Sequence, residues 1–141
     1  MEIKIHIPLK AEIVNGGFQV KVASEGESWE KGQLGDYADK RGVYVHHASG
    51  KILYVGKATE GPFGTFGERL RREFQARAAA AHRRLHDLLA QQNSSIYTYL
   101  LDLQDIDMMV GSGATYLSPE RKALIMEQIL IGIYEPEGNR Q

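Results

Sequence analysis

The chain has 141 residues, no cysteine and a formal charge of −1, a size that fits one compact domain of the usual ~100–200 residues and excludes a second. The lack of cysteine excludes disulfides, thiolate metal sites and cysteine nucleophiles, and no apolar run approaches the ~20 residues that a bilayer-spanning helix requires. Near-neutral charge argues against coating nucleic acid by bulk electrostatics. Basic character is instead concentrated between Phe66 and Gln92, where Arg69, Arg71, Arg72, Arg77, Arg83 and Arg84 face only Glu68, Glu73 and Asp87.

In chain order, residues 2–8 alternate (Glu2-Ile3-Lys4-Ile5-His6-Ile7), as do Gly17 to Ala23, with turn chemistry at Asn15-Gly16-Gly17 between them, so an N-terminal β-hairpin is expected. This start lacks the continuous apolar stretch of a secretory signal, which makes the expected compartment cytoplasmic. From Ser24 to Arg41 glycines and charges mix without a period, anchored only by Trp29 and Tyr37, the pattern of a loop or short helix. Residues 1–41 therefore read as a β-rich extension, and 42–141 as the main body of one compact domain.

Gly42 to His47 and Lys51 to Gly56 are β-rich, and Ala48-Ser49-Gly50 between them suits a three-residue hairpin loop. Thr65-Phe66-Gly67-Glu68 has capping-box spacing, which predicts a helix from Phe66. Its apolar stripe is Leu70, Phe74, Ala78, Ala81, Leu85 and Leu88, continuous to about Ala90 or broken near Ala78. Ser95 to Leu103 reads as a strand and the stretch around Gly111-Ser112-Gly113 as irregular. Ser118-Pro119-Glu120 then starts a helix that runs to Tyr134 and stops before Pro136. The fold class expected is α+β: a small antiparallel sheet flanked by helices, with the N-terminal hairpin as an extension.

With a three-residue loop, counting outward sets His47 opposite Lys51, Tyr44 opposite Tyr54 and Gly42 opposite Gly56. Alternation then puts Val43, Val45, Leu53 and Val55 on a core face, and Gly42, Tyr44, His46, Ile52, Tyr54 and Gly56 on a phenol-bearing floor. Aromatic cross-strand pairs stabilise sheets without any further role. Paired glycines beside two phenols point instead to close approach of something to the backbone.

Gly42-Val43-Tyr44 is followed by Tyr54-Val55-Gly56-Lys57, then by Arg69-Leu70-Arg71-Arg72-Glu73-Phe74, and finally by Glu127-Gln128-Ile129-Leu130-Ile131 with Pro136 and Asn139 beyond. Over roughly residues 40–139 this resembles the GIY-YIG nuclease superfamily. The resemblance implies a divalent-metal-dependent endonuclease that hydrolyses DNA phosphodiester bonds, with Tyr44, Tyr54, Arg69 and Glu127 as catalytic residues. Glu127 would hold one Mg2+ or Mn2+ ion, Tyr44 would act on the attacking water, Tyr54 would orient or hydrogen bond, and Arg69 would counter phosphate charge. Lys57, Arg72, His82 and Asn139 would contact DNA. Many members carry a histidine or tyrosine four residues after the arginine, where this chain has Glu73. His46, on the tyrosine face, is the candidate replacement.

Some residues speak without the resemblance. Glu127 has Ala123, Leu124, Leu130 and Ile131 as helical neighbours, and a carboxylate on such a face needs a partner, a proton or access to water. A phenol ionises near pH 10, so Tyr44 serves as a base only with help from a cation or through water. Asn139 has either a phosphate-facing or a structural role, or belongs to a frayed tail. His82 and His86 stand one turn apart, a chelating spacing that also suits a solvated face. The glycines after Gly56 lack a Walker pattern, which excludes a P-loop nucleotide site. DNA is the expected partner, with no membrane and no nucleotide cofactor; target choice falls to residues 1–41, the arginine helix or a partner protein, and a homodimer is compatible with the sequence. The alternative reading is a catalytically silent nucleic-acid-binding or protein-interaction domain on the same scaffold.

Overall fold

In the computed structural model, residues 1–5, 17–75, 82–110 and 116–140 are described. They form a small α+β domain around a four-stranded antiparallel sheet, with β1 Phe18–Val20, β2 Gly42–Ala48, β3 Lys51–Ala58 and β4 Ile96–Asp102 in the order β1-β4-β2-β3. Of the expected N-terminal hairpin, residues 1–5 carry no strand, and residues 6–16 lie outside those described. The second half of that hairpin supplies β1, which pairs with β4 through Phe18↔Thr98, Gln19↔Tyr97 and Val20↔Ile96.

The β2–β3 hairpin forms where expected but in a different register. Its loop is the two-residue Ser49-Gly50, with positive φ at both positions (51° and 73°), the backbone twist that two-residue hairpins favour. Ala48 pairs with Lys51 and His47 with Ile52; the register then shifts, so that His46 pairs with Tyr54, Tyr44 with Gly56 and Gly42 with Ala58. The expected pairings of His47 with Lys51, Tyr44 with Tyr54 and Gly42 with Gly56 are therefore corrected. The extra residue is Leu53, a β-bulge, and a bulge reverses alternation beyond it. Leu53 accordingly packs with Tyr44, and Ile52 with the valines, the reverse of the expected faces.

Both faces of the sheet are covered, so the tyrosine face is core and not an open floor. On that face Tyr44, Leu53, Ala58 and Leu100 pack against Trp29, Leu34, Phe66, Leu70, Phe74 and Leu89. On the other, Val43, Val45, Val55 and Leu101 meet Ile106, Ala123 and Leu130.

The first cover includes α1, Phe66–Phe74, whose N-terminus is capped as expected by Thr65, accepting from the Glu68 amide at 3.4 Å. The helix stops at Phe74 because the chain there is tied elsewhere. The Phe74 carbonyl accepts from Ala23 N at 3.0 Å. The Gln75 amide accepts from Trp29 N at 2.8 Å and donates to the Glu27 carbonyl at 2.7 Å. Ala78 and Ala81 fall outside the described residues, and α2 spans Arg83–Ala90. In the segment from Ser24 to Arg41, Trp29 stacks on Phe74 at 6.2 Å, and a 3-10 turn covers Lys31–Tyr37 with Leu34 fully buried.

The second cover consists of α3, Leu103–Met109, and α4, Pro119–Tyr134. The sequence reading gave no helix at α3; its cap is Asp102, the last residue of β4, which accepts from Asp105 N at 2.9 Å. α4 has the expected bounds, with Ser118 capping Arg121 N at 3.2 Å and proline at the first turn.

Candidate active site

The residues singled out from the sequence divide into a buried group and an open one. At the centre of the buried group is Tyr44, projecting from β2 with no solvent exposure. A Cβ on Gly56, its cross-strand partner, would lie 2.3–2.6 Å from the Tyr44 ring and hydroxyl. The glycine thus admits the phenol of the same protein, and Tyr44 takes the space that the sequence pattern left for a visitor. Gly42 likewise allows β4 to approach, since a Cβ there would meet the Leu101 carbonyl at 1.8 Å.

The Tyr44 hydroxyl donates to Glu73 Oε2. The other oxygen of Glu73 meets His46 Nε2 at 2.7 Å, and His46 Nδ1 lies 2.8 Å from Thr98 Oγ1. Thr98 is the β4 partner of His46, so strand register builds this contact. One hydrogen arrangement satisfies every member: Thr98 donates to Nδ1, Nε2–H donates to one carboxylate oxygen and Tyr44 to the other. All of these residues are at most 1% exposed. Such a carboxylate is tolerable only because each of its oxygens has a donor.

Burial first, then the charge of Glu73, pushes the Tyr44 phenol well above its ordinary pKa, against a smaller opposing pull from Arg69. Tyr44 is enclosed, and its surroundings disfavour phenolate.

Tyr54 marks the passage to the open group. It is partly exposed and stacks on Tyr44 at 6.1 Å and on His46 at 5.9 Å. Burial, followed by the charges of Glu73 and Glu127, pushes its pKa up to about 12, opposed by Arg69. Residues from β3, α1 and α4 therefore act on one phenol.

Glu127 is half-buried on α4, and burial raises its pKa. A hydrogen bond from Gln128 at 3.3 Å and the charges of Lys57 and Arg69 oppose that rise. Among the described residues Glu127 makes no ion pair. Arg69 is half-buried, and its guanidinium has no hydrogen-bond acceptor among the described residues. A cavity of about 120 Å³ is lined by Arg69, Lys57, Thr59 and Glu60. Lys57 pairs there with the exposed Glu60 at 3.7 Å, and the buried Thr59 hydroxyl has no partner among the described residues. Arg41 holds this connector in place, donating to the Thr59 carbonyl at 3.0 Å and the Gly61 carbonyl at 2.6 Å. Neither Thr59 nor Arg41 was singled out from the sequence; no motif carries them, because their roles depend on the path of the glycine-rich connector.

The remaining candidates separate from this cluster. The Asn139 side chain accepts from Val55 N at 2.9 Å and donates to Val55 O at 2.8 Å. It pins the C-terminal segment to β3, the structural one of the roles open to it. Arg72 is exposed on α1. His82 precedes α2, half-buried, with no contact to the tyrosine cluster among the described residues. His86 Nε2 is buried without a partner, and no group of three or more His, Asp or Glu side chains able to hold a metal occurs among the described residues.

No protein-family model, curated protein or solved structure matches the chain at a significant level.

Proposed function

We propose that this protein is a divalent-metal-dependent endonuclease of GIY-YIG-like architecture that hydrolyses DNA phosphodiester bonds. The observation that carries the reading is that Arg69, with no hydrogen-bond acceptor among the described residues, and Glu127, with no ion pair among them, both act electrostatically on Tyr54. A half-buried guanidinium without an acceptor is unusual unless a ligand supplies one, and a phosphate matches its fork geometry. Lys57 and the Thr59 hydroxyl border the same space.

The donor set fits one magnesium or manganese ion. Such ions are commonly held by one or two carboxylates, with waters and substrate oxygens completing the shell. Glu127 would be the protein ligand, and the bound ion would polarise the phosphoryl oxygens and make water more acidic. Arg69 and Lys57 orient the phosphate and offset its charge, while Tyr54 presents a hydroxyl to the water beside it.

Plasmid, branched and single-stranded DNA incubated with Mg2+ or Mn2+ provide the test. Wild type is expected to cut at least one of them, and Glu127→Ala to lose more than about 100-fold in rate. The absence of metal-dependent cutting on every substrate removes the enzyme reading. The burial of Tyr44 favours the second reading, a catalytically silent nucleic-acid-binding or protein-interaction domain, which predicts DNA or protein binding that Glu127→Ala leaves intact.

A further inference from the structure

The outward face of α4 has no task in the fold or in the proposed chemistry. It carries Arg121, Leu124, Ile125, Gln128 and Gly132, with Glu135 at the C-cap, and all six are exposed. Leu124 and Ile125 are 45% and 38% exposed, and α3, tied to α4 by the Lys122–Asp107 ion pair, exposes Met108 and Met109. A helix that is apolar on its outer as well as its inner face is normally covered on both. Gly132 points the same way. A Cβ there would meet nothing within 4 Å, so no contact inside the chain asks for glycine, yet glycine within a helix costs about 0.5–1 kcal/mol relative to alanine. We propose that this face binds the same face of a second copy of the chain, with the two α4 helices antiparallel about a twofold axis at Gln128. Such a dimer does not depend on the nuclease reading.

Charge selects a second copy over other partners. Neither Arg121 nor Glu135 makes an ion pair among the described residues. Arg121 lies in the first turn of α4 and Glu135 at its C-terminus, so each sits at the end of its own helix dipole that disfavours its charge. An antiparallel copy reverses both relations. Arg121 and Glu135 lie seven residues to either side of Gln128, and in a twofold contact Arg121 of one copy therefore meets Glu135 and the helix C-terminus of the other. Leu124 and Gly132 lie four residues to either side, so the leucine of each copy fills the space over the glycine of the other and the helix axes can approach to about 8 Å. The two Gln128 amides meet on the axis, where each can donate to and accept from its twin. Parallel pairing would instead set arginine against arginine and glutamate against glutamate.

One helix face with the edge of α3 belongs to the small class of interfaces, below about 1,200 Å² in total, so a reversible dimer with a Kd of about 10–100 μM is expected. Sedimentation velocity of the full chain from about 5 to about 500 μM should show wild type passing from monomer to dimer. Arg121→Glu places an acid in the first turn, where the helix dipole favours it, and should still weaken the dimer at least about tenfold, because two like-charge contacts replace two ion pairs. Arg121→Glu combined with Glu135→Arg should return the Kd to within about threefold of wild type.

A second measurement needs no charge variant. The chain has no cysteine, so Gln128→Cys carries a single thiol at the axis and should form a disulfide-linked dimer with diamide as oxidant. Arg121→Cys should not, since the twofold axis holds its two thiols about 20 Å apart. Wild type that stays monomeric throughout overturns the proposal. So does a dimer unaffected by Arg121→Glu, which places the contact elsewhere, or a double variant as weak as Arg121→Glu alone. Cross-linking of Arg121→Cys as fast as that of Gln128→Cys overturns the antiparallel register and with it the proposal.

Discussion

Tyr44 and Tyr54 stand on neighbouring strands with their rings 6.1 Å apart, yet one is sealed in the core and the other reaches the surface. Around Tyr44 every polar atom has a partner: Glu73, His46 and Thr98 form a closed chain of hydrogen bonds between α1, β2 and β4. Around Tyr54, Arg69 has no hydrogen-bond acceptor and Glu127 no ion pair among the described residues. A satisfied buried network contributes to stability and fixes geometry, whereas unsatisfied charge at a surface costs stability and awaits a ligand. The same constellation thus holds a part that folding explains and a part that folding does not.

The largest effect is expected where the network is broken from within. Glu73→Ala leaves the Tyr44 hydroxyl and His46 Nε2 facing a void, and removal of one member of such a buried set costs about 3–5 kcal/mol. Urea denaturation should show a midpoint lowered by that amount, with the slope unchanged. A loss below about 1 kcal/mol would mean that the network does not hold the core together.

Gly56→Ala probes the same region sterically. Its Cβ would stand 2.3 Å from the Tyr44 ring, and neither the ring nor the strand backbone can retreat, so a loss of about 1–3 kcal/mol is expected in thermal unfolding. Tyr44→Phe combined with Gly56→Ala should recover little, because the ring carbons and not only the hydroxyl are in the way.

These two sites show where the sequence could be read and where it could not. The start of α1 at Phe66 and both ends of α4 were legible because Thr65, Ser118, Pro119 and Pro136 act on the backbone locally. The hairpin was legible as an element but not in register. One extra residue, Leu53, moved Tyr44 from opposite Tyr54 to opposite Gly56, and a bulge answers to packing on both sheet faces at once, which no alternation rule reports. Of the site, Tyr54, Arg69 and Glu127 carried motif signals, and the charges of Arg69 and Glu127 act on the Tyr54 phenol. The Glu73–His46–Thr98 chain joins residues up to 52 positions apart, so its meaning appears only once β4 lies beside β2. Thr59 had no signal, since an unpartnered hydroxyl is a property of its surroundings and not of threonine.

The smallest effect is expected at Glu127, and its sign carries the information. Burial raises the pKa of this carboxyl in the folded protein, so folding favours its protonated form. The stability this contributes is present below the unfolded-state pKa and is lost as pH rises through the folded one, so at neutral pH the ionised carboxylate works against folding. Glu127→Gln should therefore stabilise the fold slightly at pH 7, by no more than about 0.5 kcal/mol because a half-exposed group is screened by water, and raise the unfolding temperature accordingly. The gain should vanish at pH 3, where the wild-type residue is neutral as well. Added Mg2+ should reverse the order: an ion bound to the native carboxylate stabilises wild type in proportion to its occupancy, and the glutamine variant gains nothing. Thermal melts of both proteins at pH 3 and 7, with and without Mg2+, decide the matter. A variant less stable than wild type at pH 7 without metal, or stabilised by Mg2+ to the same extent, would make Glu127 a structural acid and leave the open half of the constellation without its metal ligand.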